Sequence, residues 1–279
     1  MSKLKYLLVY IFSTYYLMLN SLALDIPIIV IAPNKSLQSY STVGSSVSSI
    51  NNETIEKSNN YFLGETLNKN LPGMNYFRSG GYGTISGIQL RGLPKRYSTV
   101  YIDGVKMSDP SSSDNSFYFS NIINSSIKNV EILRGSQSSV YGSGAIGGAI
   151  NIYTKDGEDK NLNKIIISNG SNGLKNLDAS LGNKYNNHSY YFGFNLFSTD
   201  GISAMNDEVA TNDEDSYKNK GIISKYTYSF DNNLSFKGNL RYSDSFLNYD
   251  EVTSGRTDDN NSSDDKELTY SLKLISDHG

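Results

Sequence analysis

The feature that most limits what this chain can fold into is a set of long segments in its second half that alternate apolar and polar residues with period two. In 188–198, Tyr190, Phe192, Phe194 and Leu196 fall on one face, and Ser189, Gly193 and Asn195 on the other. In 221–230, Ile222, Tyr226, Tyr228 and Phe230 oppose Lys225, Thr227 and Ser229. Leu234, Phe236, Leu240 and Tyr242 oppose Ser235, Lys237, Asn239, Arg241 and Ser243. The pattern recurs with Leu268, Tyr270, Leu272 and Leu274 against Thr269, Ser271 and Lys273. A pleated strand sends successive side chains to opposite faces, so this spacing predicts strands. Turn residues such as Asn186-Asn187 and Asp231-Asn232-Asn233 join them as antiparallel hairpins.

A soluble sandwich alternates in the same way, so the period alone does not name the solvent. Charges on one face, aromatic residues on the other and an export signal favour an outer-membrane barrel, as do short turns alternating with long acidic loops at 200–218 and 250–266. The candidate strands number about six, fewer than the eight of the smallest single-chain barrels. The expectation is an incomplete chain whose barrel does not close.

The export signal is residues 1–23. Lys3 and Lys5 precede a mostly apolar stretch at 7–19, broken by Ser13 and Thr14, and Ser21-Leu22-Ala23 forms a small-x-small cleavage site. The stretch is short for a bilayer span, so the mature chain is expected to start near Leu24. Residues 24–33 follow as an apolar segment between two prolines: Asp25, Ile26, Pro27, Ile28, Ile29, Val30, Ile31, Ala32 and then Pro33. It reads either as the first strand of a domain or as an exposed segment that adds to the edge of another protein's sheet, since prolines lack the amide donors a central strand needs.

Composition excludes several chemistries. With 25 basic against 28 acidic residues and no basic stripe, there is no case for nucleic acid. Cysteine is absent, which removes disulfides, thiolate metal sites and thiol nucleophiles. Two histidines, His188 and His278, leave little for zinc or general base chemistry.

Residues 34–155 read as a small α+β domain. Residues 43–50 alternate weakly as a strand, Asn52 is placed to cap a helix over 53–58, and Leu63, Leu67 and Leu71 recur at four-residue spacing until Pro72-Gly73 stops them. Residues 76–88 read as a loop centred on Arg78-Ser79-Gly80-Gly81-Tyr82-Gly83. Two strands follow, Ile88-Gln89-Leu90-Arg91-Gly92 and Thr99-Val100-Tyr101-Ile102-Asp103-Gly104, the second ending in an Asp-Gly turn. A second polar loop covers 107–116. Loops carried between strands are natural positions for touching a ligand, here Arg78, Gly80, Gly81 and Tyr82 in the first and Met107, Asp109 and Ser111 in the second.

Within 127–155, Gly142-Ser143-Gly144-Ala145-Ile146-Gly147 satisfies the bare G-x-G-x-x-G pattern of dinucleotide sites. That motif needs a helix after it, and 149–154 is a β-branched, aromatic run. The glycines read as a tight turn between two strands.

Taken in order, Leu71-Pro72-Gly73, Ile88-Gln89-Leu90-Arg91-Gly92, Tyr101-Ile102-Asp103-Gly104-Val105, the stretch 127–135 and Gln137 to Ile152 resemble the plug domain of TonB-dependent outer-membrane receptors. Residues 156–279 resemble, less diagnostically, the start of that family's barrel of about 22 strands. The fold so implied is an α+β plug domain (34–155) followed by the first strands of an antiparallel transmembrane β-barrel (156–279), in the outer membrane of a Gram-negative bacterium. The resemblance implies energy-coupled import of a scarce large solute, cobalamin first and a ferric siderophore second, and no enzymatic activity. Its partners would be the TonB complex, acting on a TonB box at Asp25 to Ala32, and outer-membrane lipid. Arg91 and Arg134 match plug arginines that pair with barrel glutamates in the family; the plainer reading is exposed strand-end residues. In the cobalamin branch calcium orders the substrate loops, and Asp207, Glu208, Asp213, Glu214 and Asp215 offer hard oxygen donors, although an acidic loop is also an ordinary solvated surface. A passive binding or adhesion receptor with a structural barrel is the alternative.

Overall fold

The computed structural model describes residues 29–30, 38–203, 214–230, 233–250 and 261–276. Near the N-terminus, β1 (Ile29–Val30) pairs antiparallel with β2 (Gln38–Ser39). A mixed five-stranded sheet then organises the first half, with strands β3 (Ser46–Asn51), β6 (Ser98–Ile102), β7 (Val105–Met107), β8 (Ile127–Arg134) and β9 (Gly148–Thr154). Its order is β3-β8-β9-β6-β7, and only the β6–β9 pair is parallel. The apolar runs of β8 and β9 are buried almost throughout, as the two central strands of a covered sheet must be.

Helices α1 (Asn52–Lys57) and α2 (Leu63–Asn70) cover that sheet. The Asn51 side chain, rather than that of Asn52, caps α1 by accepting from Thr54 N at 3.0 Å, so the helix begins one residue earlier than its sequence suggests. Leu63 and Leu67 stand one turn apart on α2 and are fully buried with Ile88, Leu90, Ile132 and Ile150. The stretch expected to be a loop from 76 contains strand β4 (Met74–Arg78), which pairs with β5 (Ser86–Leu90) as a hairpin. Only 79–85 is the loop. The glycines of the G-x-G-x-x-G match follow a one-turn helix, α3 (Ser138–Tyr141), and lead directly into strand β9.

The second half is a six-stranded antiparallel sheet in sequence order: β10 (Lys164–Asn169), β11 (Lys175–Tyr185), β12 (His188–Thr199), β13 (Tyr217–Ser229), β14 (Leu234–Tyr249) and β15 (Asn261–Ser276). Strand β15 reaches further than the 250–266 loop expected from its acidic residues, since Asp264 and Asp265 are paired in the ladder with Phe246 and Ser245. Register places Tyr190 opposite Tyr226 and Leu240 opposite Tyr270, all on one face. That face is exposed: Tyr270 and Leu272 are each 70% accessible, whereas Asn219 and Ser243 on the other face are 1% and 2%. The sheet is inside out by the standard of a soluble protein, with its polar face packed on the first domain. Among the described residues no helix is long and apolar enough to cross a membrane, a statement that does not bear on strands.

Two expected outcomes test this packing. Gly148, with φ +153°, starts β9 where a Cβ would overlap the Leu133 carbonyl oxygen. Gly148→Ala is expected to cost about 2–3 kcal/mol in denaturant unfolding. Burial pushes the Tyr141 phenol up to about 12, reinforced by the Glu131 charge and opposed by a hydrogen bond with Asn151. The folded state therefore favours the neutral phenol. The stability tied to it is intact below about pH 10 and lost as pH rises towards 12. Tyr141→Phe should flatten that alkaline decline, read from unfolding midpoints across the window.

Candidate functional site

The first candidate loop is held against the sheet end that carries the 200–216 connection. Phe197 on β12 and Tyr217 on β13 are buried there. The Tyr82 ring lies 5.2 Å from Phe197 and 5.3 Å from Phe62, and Phe62 and Phe197 meet edge-on at 5.0 Å, arrangements favoured by ring quadrupoles. Gly83 has φ +84°, and a Cβ there would overlap the Tyr217 ring. Arg78 donates to Glu65 Oε1 at 2.7 Å and to Gly80 O at 2.9 Å, and its guanidinium sits 4.7 Å over Tyr82. Arg78, Gly80 and Tyr82 thus build the loop's frame. Gly81 and the exposed Ile85 are left at its surface.

The second loop, 108–116, is braced by carboxylates. Asp109 Oδ1 accepts from Ser111 N at 2.8 Å and Ser111 Oγ at 2.6 Å. Asp114 accepts from Ser112 Oγ and from Ser116 N, and Lys95 Nζ lies 3.6 Å away. The Ser112 and Ser116 hydrogen bonds, with Lys95, hold the Asp114 carboxyl far below the usual carboxylate range. Ser111 is exposed and Asp109 half-buried. Met107 is not at an apex: it ends β7 inside the core at 7% exposure, because the strand continues to that residue.

Arg91 and Arg134 flank the Pro72-Gly73 turn. Arg134, buried at the end of β8, donates to Ser48 Oγ and to Pro72 O at 2.8 Å, while its Nε has no partner. Arg91 N donates to Gly73 O at 3.1 Å, and its side chain is exposed. Burial and the neighbouring Arg91 charge lower the Arg134 pKa. Among the described residues neither arginine meets a carboxylate.

In the N-terminal segment, Ile29 pairs with Ser39 and Val30 with Gln38; Asp25, Ile26, Pro27, Ile28, Ile31 and Ala32 lie outside the described residues. Of the acidic set, Asp207, Glu208 and Asp213 also lie outside them, Glu214 is exposed and Asp215 buried. Among the described residues no three His, Cys, Asp or Glu side chains gather as metal ligands.

Sequence reasoning missed two features between the halves. Asp103, visible only as half of an Asp-Gly turn, receives Lys225 of β13 at 2.7 Å. A cavity of about 330 Å³ separates α1 and residues 123–126 from β10 to β12, lined by Glu56, Lys155, Lys164, Asp178 and Tyr191. Burial pushes Glu56 up there, but Lys155 and Lys164 outweigh it and hold the carboxyl below its ordinary value.

Comparison with known proteins agrees with this architecture. Residues 39–149 match the TonB-dependent Receptor Plug Domain. The vitamin B12 transporter BtuB of Photobacterium profundum is 30% identical over 71% of this chain and 32% of its own length. That of Vibrio vulnificus strain CMCP6 is 26% identical over 80% of this chain and 36% of its own. The siderophore receptor PiuA of Acinetobacter baumannii has the same fold, with TM-score 0.64 and 20% identity over 85% of this chain and 34% of that one. The chain belongs to the TonB-dependent receptors, a family of Gram-negative outer-membrane proteins, and comprises a plug domain and the unclosed start of a barrel. It spans about a third of the length of the curated relatives it matches.

Phe197→Ala is expected to remove the aromatic seat of the first loop, costing about 3 kcal/mol. Hydrogen exchange at 79–85 should accelerate while β8 stays protected.

Proposed function

We propose that this chain is part of a receptor that imports a scarce, large solute across the outer membrane with energy supplied by the TonB complex, and that the solute is a cobalamin. The observation that carries the reading is the match to vitamin B12 transporters, at 30% identity over 71% of the chain. Two braced loops at the end of the plug nearest the long connections support solute capture there, with Gly81, Ile85, Asp109 and Ser111 at or near the surface. The exposed apolar face of β12 to β15 supports contact with outer-membrane lipid, because an apolar surface of that extent is costly in water.

Energy coupling is assigned to Asp25 to Ala32. An extended segment passes tension through main-chain hydrogen bonds without a deep pocket, and Ile29 and Val30 already adopt a paired strand. Arg91 and Arg134 are proposed to hold the plug through acidic groups of barrel strands after β15. Two adjacent cations, one of them buried with an unpartnered Nε, call for anionic partners. The donor types of Asp207, Glu208, Asp213, Glu214 and Asp215 suit calcium.

Deleting 25–32 from the full-length protein should abolish energised uptake of labelled cobalamin while binding to cells persists. Unchanged uptake would reject coupling through this segment and favour a passive receptor. Binding of a ferric siderophore with no binding of cobalamin would move the substrate to the second class.

A further inference from the structure

Among the described residues the arginine pair makes no ion pair with the barrel strands, whereas other side chains do bridge the plug to them. One set of these contacts converges on a single turn. Asp103 lies between β6 and β7 with φ +50°, followed by Gly104 with φ +80°. Its carboxylate accepts from Thr154 N at 3.0 Å and Thr154 Oγ1 at 2.6 Å, which ties the turn to the end of β9. Lys225, on the inward face of β13, donates to Asp103 Oδ1 at 2.7 Å and to Thr154 O at 2.8 Å. Lys273, on the inward face of β15, donates to the Asp103 carbonyl at 2.9 Å.

We propose that Asp103, Lys225 and Lys273 form a clamp by which the first barrel strands hold the β6–β7 edge of the plug. Two lysines from strands separated by β14 reach the same residue, one at its side chain and one at its backbone. The pair is largely withdrawn from water: the Lys225 and Asp103 side chains are 14% and 11% exposed. An ion pair on an open surface contributes little, but loss of one partner of a shielded pair strands the other charge. Here each carboxylate oxygen also has a second donor or a hydroxyl on it, so the network is satisfied only when both halves of the molecule are together. Gly104 is part of the device. A Cβ there would lie 2.9 Å from Lys273 Nζ, inside the space the ammonium needs to reach the Asp103 carbonyl. The three residues are positioning residues, and the clamp is independent of which solute is carried.

The test uses hydrogen exchange on the full-length protein in native outer-membrane extract. Lys225→Met, Lys273→Met, Asp103→Asn and the double variant Asp103→Asn/Lys225→Met are compared. Each single substitution is expected to speed exchange in 98–107 and 148–154 by about tenfold, with amides of 188–199 unchanged. The double variant should match Asp103→Asn alone, because the two side chains act as one pair. Wild-type exchange in both lysine variants overturns the clamp, as does full additivity of Asp103→Asn and Lys225→Met. If Asp103→Asn does not accumulate, the lysine variants decide the matter, since they leave the Asp103–Thr154 bonds in place.

Discussion

The structure depends on the inner face of its six-stranded sheet finding polar partners. With Leu268, Tyr270, Leu272 and Leu274 turned outward, the alternation of a strand obliges Lys225, Lys273, Arg241 and the asparagines to point inward. Buried polar groups left without partners are costly, and the plug supplies many of the bonds that prevent it. Ser125 donates to Asp178 at 2.7 Å, Tyr217 donates to Asn121 at 2.7 Å, and Asn121 donates to Asp265 at 2.6 Å. The plug therefore packs against the sheet's inner face and also supplies its polar partners.

The plug has its own apolar core, and this allows its loops to be specialised. With Leu67, Ile88, Ile132 and Ile150 burying the sheet beneath α2, 79–85 and 108–116 carry no share of the core. They are shaped instead by short-range polar bonds and by rings at the barrel wall. The Arg78–Glu65 and Asp114–Ser116 contacts keep both loops set in advance.

Much of this was legible in the residues. The period-two segments and the Leu63–Leu67 spacing translate directly into β12 to β15 and α2, because burial on one face is the physical cause of the pattern. Strand β4 was hidden because Met74 to Arg78 lacks that alternation and is followed by glycines; its pairing with β5 comes from hairpin closure. Met107 looked like a loop residue because nothing local marks where β7 ends. The acidic start of β15 looked like loop because charge normally signals solvent, whereas a paired strand in a barrel wall satisfies its backbone whatever its side chains.

The sequence by itself determined the two sheets, the tight glycine turn into β9 and the family, since each rests on local periodicity or on motifs in a fixed order. Which face of the barrel strands meets the plug, the seating of Tyr82 between Phe62 and Phe197, and the meeting of Lys225 and Lys273 at Asp103 were decided only by the tertiary structure. The lysine contacts join residues more than a hundred positions apart, and nothing in the local chemistry of an Asp-Gly turn names the lysines that will reach it.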